Sequence, residues 1–351
     1  MAPRPTKRTR RTAPAAAPAI SPPTTPSPGS KKNATADLPA ELLLEIASYF
    51  RSVPIHELHG GYHLDTNLYA LERQDALRAM SQTCSSWRAF FRPLLWENVE
   101  MAGTRQGNGQ WFTQCANTLF EKCTEIVEVE EVAKYVRGMR FVLSTHCMTE
   151  CLEILAKAMK ACPNLRTVNV YFAQTDSART IKATFDGSVQ FTSVERVILP
   201  SQAHAILRCC PNVKEVVNHQ GDGSQIVTAM QTKCKKVEVL SGVCPDMSMM
   251  KRLVKAAPNL REIRFGPGYR VPYGTAVELL GSFKHLRSVH MKCYSNVEEN
   301  KVEEYFKPQL DIMKKVVHNC TVTMTPWRWH HAMTNPLADP GQEYEHKVYI
   351  K

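Results

Sequence analysis

The sequence has no apolar run of the ~20 residues that a membrane-spanning helix requires, and its N-terminus lacks the apolar core of a signal peptide. It also lacks any C-x-x-C pair, although it has 12 cysteines. Most of these cysteines lie at helix ends or apolar positions, where a free thiol packs as a small hydrophobic group. These absences predict a protein of a reducing compartment, cytoplasmic or nuclear or both, with structural thiols and no metal site.

The motifs of the common catalytic classes are missing as well. There is no G-x-S-x-G, no G-x-x-x-x-G-K-[ST], no H-E-x-x-H and no recognisable pair of catalytic carboxylates. The segments Gly221-Asp222-Gly223-Ser224 and Gly266-Pro267-Gly268 have the composition of turns that follow strands. The sequence therefore predicts a protein that is not an enzyme and that uses no cofactor.

Acidic residues are absent from residues 1–36, which carry seven of the eleven net positive charges. This segment is rich in Pro, Ala, Ser and Thr, and it cannot bury enough apolar surface to offset chain entropy, so we predict a disordered tail. Its cluster of Lys7, Arg8, Arg10 and Arg11 is either a candidate nuclear-import signal or a solubilising group. Because only four net charges remain elsewhere, nucleic-acid binding is an alternative for the tail alone.

Two helical runs follow the tail. Pro39 suits the first turn of a helix that Asp37 can cap and that runs to about Phe50. One row of that helix contains Leu42, Ile46 and Tyr49, and a second row contains Leu43, Ala47 and Phe50. Apolar side chains thus cover more of this helix surface than the single stripe that a surface helix needs. One face of the helix therefore needs a partner outside this segment.

The second helical run is predicted from Ala76 to Phe91, where apolar residues recur at spacings of three and four and Pro93 ends the helix. Together the two runs form a small helical bundle. Residues 51–75 between them include Pro54 and Gly60-Gly61 and are interpreted as an inserted loop. Such a loop costs little in closure entropy.

The order of groups in this bundle resembles an F-box over residues 38–99. The resemblance is carried by Leu38-Pro39-Ala40-Glu41-Leu42-Leu43-Leu44-Glu45-Ile46, by Cys84-Ser85-Ser86-Trp87-Arg88 and by Leu94-Leu95-Trp96-Glu97-Asn98-Val99. In that family the bundle docks on the Skp-type adaptor of a cullin-RING ubiquitin ligase. The resemblance implies that the adaptor-binding residues are Leu38, Pro39, Leu42, Leu43, Ile46, Cys84, Trp87, Leu95 and Trp96. The insertion is longer than family members usually have, and an ordinary helical hairpin is the alternative interpretation.

After about residue 130 a unit of the form apolar-x-x-apolar-x-apolar recurs. The units are Val136, Met139, Phe141; Leu165, Val168, Val170; Val194, Val197, Leu199; Val213, Val216; Cys234, Val237, Val239; Leu260, Ile263, Phe265; and Leu286, Val289, Met291. Their first residues are 29, 29, 19, 21, 26 and 26 apart, and these intervals scatter around the leucine-rich-repeat period of ~20 to 29 residues. Alternation within each unit suits a short strand, and several units follow a helical segment.

The joints between helix and strand share one phrase, in which proline stops the helix and asparagine turns the chain. It occurs as Cys162-Pro163-Asn164-Leu165, Cys210-Pro211-Asn212-Val213 and Ala257-Pro258-Asn259-Leu260, and it resembles the joint of F-box-associated leucine-rich repeats. The predicted fold class is α/β, with a small helical F-box followed by an irregular leucine-rich-repeat-like solenoid of alternating helices and parallel strands. A generic α/β domain is the alternative.

Both ends of such a solenoid need covering. At the start, residues 101–130 are a linker or cap whose apolar groups are Trp111, Phe112, Leu119 and Phe120. Near the end, a helix from about Val302 to His318 offers Phe306, Leu310, Met313 and Val317, and a last strand includes Val322. The cluster Trp327-Arg328-Trp329-His330-His331 is interpreted as an end cap, with a binding hot spot as the alternative.

The sequence thus divides into a tail (1–36), an F-box (37–100) with its insertion (51–75), a cap (101–130), a repeat domain (131–326) and a C-terminal cap or tail (327–351). What the resemblance implies is a substrate-recognition subunit that binds a Skp-type adaptor, and through it a cullin, while its repeats hold a protein substrate. Catalysis would belong to other subunits. The alternatives are a ligase-independent repeat scaffold, which the insertion favours, and a nuclear nucleic-acid binder acting through the tail.

Overall fold

The structure, a computed structural model, describes residues 38–50, 64–101, 111–266, 274–294, 301–327 and 345–351. The helices in these ranges are α1 (Ala40–Ser48), α2 (Leu64–Ser81), α3 (Ser85–Glu97), α4 (Trp111–Glu128), α5 (Glu130–Tyr135), α6 (Met148–Ala161), α7 (Ala178–Thr184), α8 (Ser224–Lys233), α9 (Met247–Ala256) and α10 (Val302–Val316). The strands are β1 (Asn98–Glu100), β2 (Gly138–Leu143), β3 (Thr167–Ala173), β4 (Arg196–Pro200), β5 (Glu215–Gln220), β6 (Val239–Val243), β7 (Glu262–Phe265), β8 (Ser288–Tyr294), β9 (Cys320–Trp327) and β10 (His346–Ile350). Short 3-10 helices span Thr175–Ser177, Ser201–Cys209 and Gly274–Ser282.

All ten strands belong to one sheet, and they follow one another in chain order from β1 to β10. Every neighbouring pair is parallel except β9 and β10, which are antiparallel. Parallel neighbours need a crossover between them, and helices or 3-10 helices supply most of these crossovers. The predicted α/β class is confirmed, and this sequential order is compatible with a solenoid.

The core lies between the sheet and a layer of helices in which each element packs against the next, from α4 and α6 to α9 and α10 by way of the 3-10 helices. On the helix side of the sheet, one buried apolar residue from each of nine strands stands in register. This column consists of Val99, Met139, Val168, Val197, Val216, Leu240, Ile263, Val289 and Val322. Because no single strand could bury its apolar face alone, the column ties each unit to its neighbours.

The asparagines of the predicted joints link neighbouring units. Each one donates a side-chain hydrogen bond to a main-chain carbonyl of the preceding unit. The three bonds run from Asn164 to Lys134 (2.7 Å), from Asn212 to Thr192 (2.7 Å) and from Asn259 to Lys235 (3.1 Å). The shared phrase therefore ends the helix, as predicted, and also satisfies a carbonyl that the sheet does not reach.

The structure corrects one of the predicted strand registers. Cys234 and Val237 are buried as expected, but Leu240, and not the predicted Val239, pairs with Val216 and lies in the buried column. Val239 is partly exposed and pairs with Glu215 on the other face. The shift arises because Cys234 ends α8 at the joint, where Lys235-Lys236 replaces the Pro-Asn phrase that marks the other joints.

The predicted helix from Ala76 to Phe91 is wrong in two respects. The chain breaks between α2 and α3, where Cys84 is extended and its sulfur accepts a hydrogen bond from the Trp87 N–H (3.5 Å), capping α3. Pro93 lies inside α3 and does not end it, because the residues after it pack against the neighbouring cores. The predicted loop 51–75 is also only partly a loop, since α2 begins at Leu64; residues 51–63 lie outside the described residues.

The first cap differs in detail from the prediction. Residues Trp111 to Glu128 form a full helix of the helical layer, and Leu119 is buried in the main core as expected. Phe120, in contrast, is exposed. Trp111 and Phe112 pack with Phe172 in a small separate cluster.

The C-terminal helix is confirmed as α10. Its predicted apolar face is buried, and Val322 lies in β9 as expected. The sequence analysis missed β10, which closes this end of the sheet by an antiparallel pairing. Residues 328–331 of the Trp, Arg and His cluster lie outside the described residues.

Candidate docking surface on the first helix

The first helix is fixed by one of its two apolar rows. Leu43 and Ala47 are buried in a small core with Leu77 and Phe91. Within that core the rings of Trp87 and Phe90 both meet Phe91 edge to face, with centroids 5.6 Å and 5.0 Å away. Edge-to-face contacts of this kind stabilise a small core beyond the area that they bury.

The C-terminal end of α1 is held by Arg73 of α2. One guanidinium nitrogen of Arg73 donates to the carbonyl oxygens of Ala47 (2.8 Å) and Phe50 (2.6 Å). The last carbonyls of a helix have no partner within the helix, and a cation is the favoured group at that end. Arg73 therefore fixes the direction of α1 relative to α2.

The other row of α1 faces outward. Leu42 is 50% exposed, Tyr49 is 78% exposed, and Ile46 between them is partly exposed. Positions four and three residues apart along a helix lie on one face, so these three side chains form a continuous apolar strip that we call the outward row. Leu44 is 52% exposed but lies on a different side of the helix. The exposure of this row agrees with the expectation from sequence that one face of the first helix needs a partner outside the helix's own segment.

The residues that the F-box resemblance marks divide into three groups. Pro39 and Leu42 are exposed, and Pro39 precedes the first turn of α1 without a side-chain cap. Leu38, Ile46, Cys84, Trp87 and Leu95 are partly exposed, and most of them line the small core. Leu43 is buried in that core, and Trp96 packs against the main core.

Sequence reasoning placed Tyr49 in one helical row with Leu42 and Ile46 but did not include it among the site residues. It is the most exposed of the large apolar side chains in the described part of the chain. Its spacing of three from Ile46 was the signal that could have included it. Lys7, Arg8, Arg10 and Arg11, the candidate import signal, lie outside the described residues, as does the capping residue Asp37.

The helical bundle joins the sheet without a linker. Glu97 is the last residue of α3, and Asn98 is the first residue of β1. Ion pairs also connect the two parts, from Arg92 to Glu131 (3.5 Å) and from Glu97 to Arg137 (3.3 Å). The bundle that carries the outward row therefore runs directly into the first strand of the sheet.

The sheet face opposite the helices carries polar pairs at several levels. Arg140 and Glu100 form a buried ion pair (2.9 Å), and Arg196 pairs with Glu215 (3.0 Å). Further along, a hydrogen bond from His290, together with the neighbouring Arg264, lowers the pKa of Glu262 to about 2 although partial burial opposes the shift. Glu262 therefore stays ionised over the whole physiological range.

Buried thiols account for most of the cysteines that the structure describes. Burial raises the pKa of Cys115, Cys162 and Cys234 to about 12. A thiol with such a pKa is protonated at neutral pH and is a poor nucleophile. Across the described ranges no group of three His, Cys, Asp or Glu side chains could hold a metal ion.

No helix within the described segments is long and apolar enough to cross a bilayer. A scan against protein-family models finds no match to this chain, and a search of curated proteins finds no significant match. With no family assigned by these comparisons, the outward row of α1 is the feature on which a proposal of function depends.

Proposed function

We propose that this chain is the substrate-recognition subunit of a Skp-cullin-F-box type ubiquitin ligase, with α1 as its adaptor-docking element. The observation that carries the proposal is the outward row of Leu42, Ile46 and Tyr49. The other apolar row of α1, with Leu43 and Ala47, already lies in the small core. The outward row is therefore apolar surface that the folding of the described residues leaves largely accessible. An exposed apolar strip with helical spacing is the form in which helices dock into a partner's groove.

The surroundings of the row support the same proposal. Leu38, Trp87 and Leu95 border the small core and keep part of their surface accessible. A partner that covered α1 would also bury these edges, and aromatic and Leu side chains at such a border provide the desolvated anchors of an interface. The F-box resemblance rests on the same residues.

The second half of the proposal is that the sheet and its helices form an irregular leucine-rich-repeat-like solenoid that binds a protein substrate. It is supported by the sequential strand order, the buried column in register and the asparagine links between units. Repeat proteins bind partners through the exposed residues of such stacks. The ionised Glu262, and the pair of Arg196 with Glu215, provide polar groups on that face for this purpose.

The direct junction between Glu97 and Asn98 gives the proposal its mechanism. With α1 on an adaptor and a substrate on the sheet, the substrate would be held near the ubiquitin-loaded enzyme in a fixed direction. Holding two reactants together converts a bimolecular transfer into an effectively intramolecular one. The chain would contribute this proximity, and the chemistry would take place on other subunits.

The test is co-purification of the full-length chain with a Skp-type adaptor, using two matched variants. Leu42→Asp places a charge in the outward row, and Leu44→Asp places the same charge at an equally exposed position on another side of α1. We expect wild type and Leu44→Asp to form a one-to-one complex and Leu42→Asp to lose it. If wild type binds no adaptor, the chain is better described as a ligase-independent scaffold. If both variants bind like wild type, the outward row is not the docking surface.

A further inference from the structure

A cavity of about 290 Å³ lies where the helical bundle meets α4 and β1. Its charged lining consists of Arg78, Arg88, Arg92 and Lys122 against a single carboxylate, Glu125. Trp96 contributes an aromatic wall. Among the lining residues alone, the four cations outnumber the one carboxylate, so the lining carries a net positive charge.

Two of these arginines have surface partners. Arg78 pairs with Asp75 (3.3 Å), and Arg92 pairs with Glu131 (3.5 Å). In both pairs the two side chains are more than a third exposed, so the pairs are screened by solvent and weak. Both guanidinium groups can therefore turn toward an anion in the cavity at little cost.

Arg88 has no carboxylate partner among the described residues. Its Nε donates to the Ser81 carbonyl oxygen (3.3 Å) at the end of α2, which fixes the guanidinium at the cavity. A guanidinium has five N–H donors, and this bond uses one of them. The remaining donors form the planar fork that matches two oxygens of a phosphate group.

Lys122 approaches the same space from α4. Its ammonium donates to the Gln74 side-chain oxygen (3.0 Å) and to the Glu100 carbonyl oxygen (2.7 Å), both of which are neutral acceptors. Burial lowers the pKa of Lys122; the charge of Glu100 opposes this, Arg78 lowers the pKa further, and Glu125 and Asp75 raise it. The ammonium is thus a desolvated cation whose direct hydrogen-bond partners carry no charge.

We propose that this cavity is a binding site for a small, multiply charged phosphate, such as an inorganic triphosphate or the phosphate groups of a small metabolite. The volume is at the lower limit for a ligand pocket, which suits a compact polyanion. Arginine forks and one ammonium are the donors that phosphate recognition uses. Because the lining comes from α2, α3 and α4, the bound anion would join the helical bundle to the start of the sheet.

The experiment measures triphosphate binding to the full-length chain by calorimetry, with sulfate at equal ionic strength as the comparison. The variants are Arg88→Gln, which changes an exposed residue of the lining, and Glu125→Gln, which removes the one carboxylate. The matched control is Arg261→Gln, which removes an exposed arginine that lies just before β7 and does not line the cavity. We expect Arg88→Gln to weaken binding about tenfold or more, Glu125→Gln to strengthen it, and Arg261→Gln to leave it unchanged.

Opposite effects of two lining variants cannot come from a general loss of folding, and circular dichroism of each variant checks the fold directly. The proposal is overturned if wild type binds no triphosphate at millimolar concentration or if sulfate binds equally well. It is also overturned if all three variants bind like wild type, because the anion would then be attracted nonspecifically by surface charge and not held at this cavity. Binding by a phosphorylated metabolite that exceeds binding by free triphosphate would identify the first as the source of the phosphate groups.

Discussion

His219 on β5 donates its Nε2 hydrogen to the main-chain carbonyl oxygen of Val170 on β3 (2.8 Å), across the intervening strand β4. Pairing between β3 and β4 covers only Thr167 to Asn169. Pro200 at the end of β4 has no N–H with which to extend that pairing. The imidazole therefore supplies a donor to a carbonyl that the backbone leaves unpaired.

This contact predicts a pH dependence of stability. Burial lowers the pKa of His219 from its usual 6.5, so the unfolded chain takes up the proton first. The free energy of unfolding should then be highest above pH 6.5 and should fall as the pH drops below it. His219→Gln keeps a donor but does not titrate, so we expect a shallower fall in urea denaturation between about pH 7 and 5. His204, whose pKa burial also lowers, would retain part of the slope. An identical slope in the variant would contradict the assignment.

A second prediction concerns Gly242 in β6. Its φ is +77°, and a Cβ at this position would lie 1.7 Å from the carbonyl oxygen of Asn218. Gly242→Ala should therefore lower the free energy of unfolding by about 3 kcal/mol or more, from backbone strain together with the clash. The matched control is Gly274→Ala, which has φ +46° but no atom within 4 Å of the added Cβ. Its cost should be about 1 kcal/mol from strain alone. Equal denaturation midpoints for the two variants would refute this account.

Adjacent leucines of α1 should respond in opposite ways to truncation. Leu43→Ala removes a buried side chain and should destabilise the small core by about 2 to 5 kcal/mol. Leu42→Ala removes an exposed one and should change stability by less than about 1 kcal/mol. Hydrogen exchange of the α1 to α3 amides measures both effects. Under the proposed function Leu42→Ala should instead weaken adaptor binding by roughly tenfold or more, since a Leu side chain contributes about 1.5 to 3 kcal/mol when it is buried.

The buried pair of Arg140 and Glu100 provides a fourth prediction. Arg140→Met leaves the Glu100 carboxylate buried without this cation, and we expect a loss of about 3 to 5 kcal/mol in the free energy of unfolding. The exposed pair of Lys134 and Glu130 (2.8 Å) is the control. Lys134→Met should have little effect in chemical denaturation, because exposed pairs are screened by solvent. Similar losses for both variants would show that burial is not the deciding factor.

Cysteine labelling provides the fifth prediction. Cys147 is exposed, whereas Cys115, Cys162 and Cys234 are buried thiols with a pKa of about 12. Iodoacetamide should therefore modify Cys147 much faster than these three in the native chain, as measured by mass spectrometry of peptides. Labelling in guanidinium chloride, where all four are accessible, is the control. Rapid native labelling of Cys162 would contradict the described core.

Much of the repeat region could be predicted because one physical rule, burial of a single strand face, repeats along the chain. The joint phrase marked where helices end, and the apolar face of α10 followed from its spacing. The register of β6 could not be predicted from the phrase, since Lys235-Lys236 replaces proline and asparagine there. The break before α3 was missed because a thiol, Cys84, caps that helix in place of the usual Ser, Thr, Asp or Asn.

The sequence predicted that α1 has two apolar rows, but it did not predict which row is buried. Spacing alone separates the row of Leu42, Ile46 and Tyr49 from the row of Leu43 and Ala47. It does not say which row the rest of the chain covers, and the answer depends on Leu77 and Phe91 far along the sequence. For the same reason Trp96 could not be assigned to the main core, because its packing partners come from elements that follow it.

The junction at Glu97 and Asn98 has a geometric consequence. The strands follow in chain order at about 4.8 Å apart. The distance of each strand from the end of α3 is therefore set by the number of strands that lie between them. Strand β9 lies eight steps from β1, roughly 40 Å at that spacing. Inserting or deleting one helix-strand unit would move everything beyond it by about one step and leave the first helix where it is. Under the proposed function, the number of strands between β1 and the bound substrate sets the distance between that substrate and the adaptor-bound helix α1.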